Sequence, residues 1–334
     1  MEYSNLGNAG VKVSRLCLGT MMFGGATNEQ ESIGIIHRAM DDGINFLDSA
    51  NVYNDGEAER ILGKAVRGRR DSVVIATKVF GARGDGPNDG GNSRIHILNE
   101  VENSLKRLGT DYIDVYMLHR RDYETPLEES LEALNDLIRQ GKVRYAGCSN
   151  FYGYELAKAL WISDRKGFAP MAAVQPLYNI VNRDAELELF PCCREHGVGA
   201  MVYSPLARGV LAGKYLPGRP PPEGSRADRK DPRMMVTEVR EESYEVAQRL
   251  VPLAGAHDVT LTQFSLSWVL ANPIVTSAIV GPRTMEQYED NLGCLGWEIS
   301  QEALDQIDAL VPPGEHTGWG FNDPQYPVRG RPEA

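Results

Sequence analysis

Eight short runs rich in β-formers punctuate this chain, and each is followed by a helical pattern. They occupy residues 15–19, 44–49, 72–78, 112–119, 143–149, 172–175, 200–204 and 277–281. The runs are apolar almost throughout, as expected for strands buried on both faces of a parallel sheet. The intervening helices have legible ends. Thr27-Asn28-Glu29-Gln30 reads as a capping box, with Ile33, Ile36 and Met40 on one face and Gly43 as the stop. Thr125-Pro126-Leu127-Glu128 puts proline at the first helical position, ahead of Leu127, Leu131, Leu134, Ile138 and the stop at Gly141. A third helix carries Leu98, Val101, Leu105 and Leu108 and stops at Gly109. Eight βα units with no surplus strand between them predict a closed (β/α)8 TIM barrel, one α/β domain over residues 1–334.

The residues before Arg15, with a Gly7-Asn8 turn, suit a hairpin that plugs one end of that barrel. Three connections are too long to be simple turns: 79–93, 207–232 and the Pro-rich 311–334. Long loops on the C-terminal face of a barrel are expected to act as lids or binding loops.

Charge and cysteine usage narrow the function classes. With 35 basic against 46 acidic residues, the net charge of −11 repels polyphosphate. Nucleic acid and anionic membranes are therefore poor partners, and a small-molecule substrate is the expected one. The sequence leaves self-association open. No apolar signal segment opens the chain, and no apolar stretch is long enough for a transmembrane helix. The five cysteines, Cys17, Cys148, Cys192, Cys193 and Cys294, form neither a paired framework nor a zinc pattern. A reduced, cytoplasmic enzyme with no metal is the expectation.

Several motifs fail on spacing. GARGDG (81–86) is not the G-x-G-x-x-G of a dinucleotide fold. Gly63-Lys64 and Gly213-Lys214 lack the earlier glycine of a phosphate loop. The six histidines make no H-E-x-x-H pair, and no G-x-S-x-G elbow is present.

A different pattern carries the chemistry. Polar residues stand at the C-terminal ends of the runs: Asp48, Lys78, His119, Ser149 with Asn150, Gln175, and Tyr203 with Ser204. One polar residue at a strand end is usually a cap. Six strands showing the feature together point to a shared active-site face.

These residues resemble the aldo-keto reductase family. FLDSANVYNDGEAERILGKAV contains its Asp48 and Tyr53, IATK its Lys78, and VYMLH its His119. GCSNF (147–151), VQPLYN (174–179), VYSPLARGVLAGKY (202–215) and IVGPRTMEQYEDNLG (279–293) look like its cofactor-binding segments. The resemblance keeps family order from about residue 2 to 310. Within the family it looks most like the bacterial general-stress-protein and potassium-channel β-subunit branches.

The resemblance implies NADP(H)-dependent reduction of aldehydes and ketones, or the reverse alcohol oxidation. It implies that Asp48, Tyr53, Lys78 and His119 are the catalytic tetrad. A phenol is a sluggish acid at neutral pH, and a neighbouring ammonium on Lys78 should lower the pKa of Tyr53. Asp48 should hold Lys78 charged, and His119 should orient the carbonyl oxygen. The cofactor is expected to meet Gly19, Thr20 and Met21 beside Asp48, with Ser149, Asn150 and Gln175 on its carboxamide and Tyr203 stacked on the nicotinamide. Ser204, Pro205, Leu206 and Ala207 should offer backbone N–H groups to the pyrophosphate, with Lys214 as a cation and Arg226 closing over it. Gly281 leads to Arg283, placed for a 2′-phosphate at a helix start. Gln287, Asp290 and Asn291 would read the adenine. Phe23, Tyr53, Phe80, His119 and Trp319 are the expected substrate pocket.

Two other classes compete. A lysine-dependent aldolase would need Lys78 neutral, which Asp48 opposes. An NADP-binding redox sensor with little turnover is the alternative within the family. There, His119 speaks for turnover, because channel subunits carry a different residue at that place.

Overall fold

The computed structural model describes residues 1–327. Strands β1 (Tyr3–Asn5) and β2 (Lys12–Ser14) pair as an antiparallel hairpin. Eight further strands follow: β3 (Leu16–Gly19), β4 (Phe46–Asp48), β5 (Val74–Val79), β6 (Ile113–Leu118), β7 (Val143–Ser149), β8 (Met171–Gln175), β9 (Gly199–Val202) and β10 (Val275–Val280). They close a parallel barrel in sequence order, with β10 beside β3. Each expected strand is present, β7 with the expected bounds and the others shifted by a residue or two at their ends.

The helices are α1 (Glu29–Asp41), α2 (Glu57–Ala65), α3 (Arg94–Leu108), α4 (Leu127–Arg139), α5 (Gly153–Lys166), α6 (Leu189–His196), α7 (Pro232–Thr237), α8 (Glu241–Ala256), α9 (Leu261–Ala271), α10 (Met285–Leu292) and α11 (Gln301–Leu310). The chain groups into two compact units. The first comprises Met1–Pro176, Glu188–Tyr203 and Pro273–Glu289 and holds the hairpin and the whole barrel. The second comprises Leu177–Leu187, Ser204–Asn272 and the chain from Asp290 onward.

Strand alternation sorts the barrel's residues. Val74 and Ala76 of β5 and Val115 and Met117 of β6 face the interior, in one cluster with Cys17, Phe46, Ala173, Met201 and Ile279. Leu6 and Val13 of the hairpin are fully buried in that same cluster, so the hairpin does plug the barrel. Its turn presses on the α6–β9 junction: Asn8 N–H donates to Gly197 O at 2.7 Å, and a Cβ on Gly7 would come within 2.4 Å of that oxygen. Facing outward, Thr77 donates to Glu59 of α2 at 2.6 Å, and Glu59 accepts from Arg107 of α3 at 2.6 Å. A slip of one residue would break this buried lock and turn Lys78 out of the barrel.

Two helix starts differ from the sequence reading. The N-cap of α1 is Asn28, whose side chain accepts from Glu31 N–H, while the Thr27 hydroxyl donates to Arg283 O at 3.0 Å. Pro126 occupies the N-cap of α4 rather than its first turn, and the Thr125 hydroxyl turns back to Asp122 at 2.8 Å. The Thr27 hydroxyl goes to a tertiary acceptor and the Thr125 hydroxyl to a local one three residues back, so neither caps its helix. Most of the expected 311–334 tail is packed within the second unit, where Val311 O accepts from Arg183 and Asp323 pairs with Arg233 at 2.5 Å. The remainder of that tail, 328–334, lies outside the described residues.

Candidate active site

Inward alternation carries β4, β5 and β6 out of the apolar core into polar side chains at their C-terminal ends. Asp48 ends β4, Lys78 continues the inward line of Val74 and Ala76, and His119 stands two residues beyond Met117. Lys78 pairs in register with Met117. The Lys78 side chain is fully buried, and its ammonium donates to Asp48 Oδ2 at 2.7 Å, Ser49 O at 2.6 Å and the Tyr53 hydroxyl at 3.4 Å. Burial alone would lower the Lys78 pKa. The charges of Asp48 and of an ionised Tyr53, with the hydrogen bonds to both, outweigh it and raise it. The lysine is therefore a fixed cation.

Tyr53 comes from a clamped turn. Asn54 and Asp55 after it hold φ of 47° and 57°, a left-handed conformation that non-glycine residues rarely adopt. The strain is held by contacts on both sides. Asn54 donates to Met21 O at 2.9 Å and Phe23 O at 2.7 Å, and Asp55 pairs with Arg83. Asn51 donates to Gly81 O at 3.2 Å, and a Cβ on Gly81 would meet Val52 at 2.1 Å. The phenol ring stands edge-on to the His119 ring, with centroids 6.0 Å apart. Burial, then the charges of Lys78 and Arg120, push the pKa of His119 down to about 3. Its imidazole is neutral at physiological pH.

The expected carboxamide ligands are joined to this centre by hydrogen bonds. Gln175 donates through Nε2 to Asp48 Oδ1 at 2.8 Å, a second hold on the carboxylate that the sequence did not announce. Ser149 donates to Gln175 O at 2.8 Å. Asn150, with φ of 56°, donates to His119 O and Ser149 Oγ, each at 2.9 Å, and accepts from the Tyr203 hydroxyl at 2.8 Å. Thr20 donates to Asp48 O at 3.0 Å, beside Gly19 and the exposed Met21. Gly281 is exposed at the end of β10, and Arg283 precedes α10, its N–H donating to Gln287 Oε1 at 2.9 Å.

Other expected residues have different surroundings. Phe23 is fully buried, within the Thr20–Thr27 turn. Trp319 is fully exposed over a groove lined by Glu242, Arg249, Leu310 and Pro312 of its own unit. In the second unit Ser204, Ala207 and Arg208 take left-handed φ of 52°, 45° and 52°, with Pro205 and Leu206 between them. The Ala207 N–H closes that turn on Ser204 O at 2.9 Å instead of pointing outward for a phosphate. Lys214 lies 5.6 Å from the Tyr215 ring, and Arg226 is 3.4 Å from Asp231. Asp290 accepts from Thr260 at 2.8 Å and Gln263 at 3.0 Å, which engages its carboxylate, and Asn291 is buried. Among the described residues no cluster of three His, Cys, Asp or Glu could hold a metal, and no helix is long and apolar enough to cross a membrane.

The sequence model of the Aldo/keto reductase family matches residues 15–312, which spans β3 to α11 and includes Asp48, Tyr53, Lys78 and His119. The chain belongs to that family. Similar curated proteins cover nearly the whole of it. The uncharacterized oxidoreductase YrpG of Bacillus subtilis (strain 168) is 40% identical over 330 residues, 95% of this chain and 98% of that protein. A probable voltage-gated potassium channel subunit beta of Arabidopsis thaliana is 37% identical, covering 93% of this chain and 94% of its own. The versiconal hemiacetal acetate reductase of Aspergillus parasiticus is 33% identical, covering 95% and 99%. Aldo/keto reductase membership agrees with the closed eight-stranded barrel, and the oxidoreductases among its members support an oxidoreductase.

Proposed function

We propose that this aldo/keto reductase is a cytoplasmic NADP(H)-dependent enzyme that reduces aldehydes or ketones to alcohols, or runs the reverse, with Tyr53 as the general acid and base. The observation that carries this reading is the Lys78 ammonium, buried, charged and 3.4 Å from the Tyr53 hydroxyl. Reducing a carbonyl takes a hydride at carbon and a proton at oxygen. NADPH, when bound, supplies the hydride.

The protein's own groups manage the proton. The Lys78 cation favours phenolate over phenol and so eases proton loss from Tyr53 to the carbonyl oxygen. Asp48 offsets the cost of burying that cation. A neutral His119 still presents an N–H or a ring nitrogen, so it can orient the oxygen by hydrogen bonding without adding a charge.

The donor set suits such a cofactor. Ser149, Asn150 and Gln175 gather amide and hydroxyl groups beside the Tyr203 ring. Oε1 of Gln175 has no partner among the described residues and could accept from a carboxamide. Arg283 ahead of α10 supplies a guanidinium of the kind a 2′-phosphate needs. The test is stopped-flow mixing of the protein and NADPH with a generic aldehyde. Oxidation of the nicotinamide with matching alcohol supports the reading.

The plant channel-subunit relatives favour a second reading, in which bound NADP regulates a partner protein. Tight NADPH binding with no turnover of any carbonyl would select it.

A further inference from the structure

Three arginines crowd the loops around Tyr53 and His119, and two are engaged. Arg83 pairs with Asp55, and Arg121 donates to Thr125 O at 3.1 Å. Arg120 is different. Its carbonyl is held by Asn92 Nδ2 at 2.8 Å, yet its guanidinium forms no hydrogen bond or ion pair among the described residues. It lies over the Phe80 ring instead, with Cζ 4.1 Å from the centroid.

The strand register says where that ring is. Val79 pairs with Leu118, so Phe80 and His119 are the next residues on neighbouring strands. Phe80 follows Lys78 by two and stands one residue beyond the end of β5. Arg120 is the chain neighbour of His119, so the stacked pair lies at the same end of the barrel as the Tyr53–His119 pair. The charge of Arg120 reaches the imidazole: after burial and Lys78, it is the third cause that holds His119 neutral.

Among the described residues this half-buried guanidinium has no counter-ion, in a protein of net charge −11. Stacking fixes its plane and leaves its N–H edge for a planar anion, which a carboxylate meets with two parallel bonds. We propose that Arg120 is a specificity residue that selects carbonyl substrates bearing an anionic group, a carboxylate above all. This rests on the reductase reading and names the substrate class for the same site. The carbonyl would meet Tyr53 and His119 while the anion meets Arg120.

The experiment compares 4-carboxybenzaldehyde with its neutral ester, methyl 4-formylbenzoate, with NADPH. The wild-type protein should show a kcat/KM ratio of acid to ester of roughly 10 or more, as a charge-assisted hydrogen bond provides. Arg120→Ala and Arg120→Gln should bring the ratio down about 10-fold or further, mainly through KM for the acid, with Arg120→Lys in between. Because the readout is a ratio within one protein, a general loss of folded enzyme cancels. A wild-type ratio near one, or a ratio that the substitutions leave unchanged, overturns the proposal. Replacing the acid with 4-formylphenyl phosphate separates a carboxylate preference from a general anion preference.

If neither aldehyde turns over, the reductase reading fails, and calorimetric titration of 4-(hydroxymethyl)benzoate with NADP+ present decides this one. Binding that Arg120→Ala abolishes, and that the methyl ester does not show, keeps the anion site. Absent or Arg120-independent binding removes it.

Discussion

Gln175 holds Asp48 from across the barrel: β8 lies four strands from β4 in the closed order, yet Nε2 reaches Oδ1 at 2.8 Å. Lys78 takes the other oxygen at 2.7 Å, so the carboxylate is gripped from two directions. Gln175→Leu should leave Oδ1 buried without a donor and cost about 1–3 kcal/mol of stability, read from urea unfolding. A midpoint equal to wild type would mean that the carboxylate does not depend on this bond.

Tyr53→Phe keeps the ring against His119 and removes only the hydroxyl. Carbonyl reduction should fall by roughly 100-fold or more, the scale of general acid catalysis, while NADPH affinity measured by fluorescence changes little. Near-normal turnover would assign the proton to another group.

Lys78→Met strands Asp48 as a buried, unpaired charge. The expected loss is about 3–5 kcal/mol, and a double variant with Asp48→Leu should recover much of it without recovering activity. Thermal unfolding of the two single variants and the double variant measures this coupling. Stabilities that simply add would show that the two side chains do not depend on each other.

His119 has a folded-state pKa of about 3 against an ordinary value of 6.5. Between those values the unfolded chain binds the proton and the folded protein does not. The neutral ring's contribution is thus complete above pH 6.5 and is lost as pH falls toward 3. His119→Gln should narrow its stability gap to wild type as urea midpoints are taken from neutral to acidic pH. Parallel curves would show that the imidazole protonates as it does in water.

Arg283→Ala should raise the NADPH dissociation constant by roughly 10-fold or more and the NADH constant far less, since a guanidinium–phosphate contact is charge-assisted. Equal effects on both constants would remove the phosphate contact.

The barrel was legible because strands buried on both faces are written as apolar runs, and because inward parity puts Lys78 and His119 directly above Ala76 and Met117. The gathering of Asp48, Lys78 and His119 followed from strand ends sharing one face, whereas Tyr53, on the turn after β4, was legible only through the family resemblance. What the sequence hid came through space. The Gln175–Asp48 bond joins residues 127 apart, and no local pattern marks it. The Thr27 hydroxyl left its cap for Arg283, a partner 256 residues away. Trp319 looked like a pocket aromatic from its type alone, but its position depends on how the segment after α11 packs. Arg120 carried no signal until the Phe80 ring was found beneath it.

Leu6 and Val13 of the hairpin fill the barrel floor, in one packed cluster with Val74, Ala76, Val115 and Met117. That end is stoppered by core side chains, so a reagent aimed at Lys78 cannot come through the hairpin and has to approach from where β4, β5 and β6 finish.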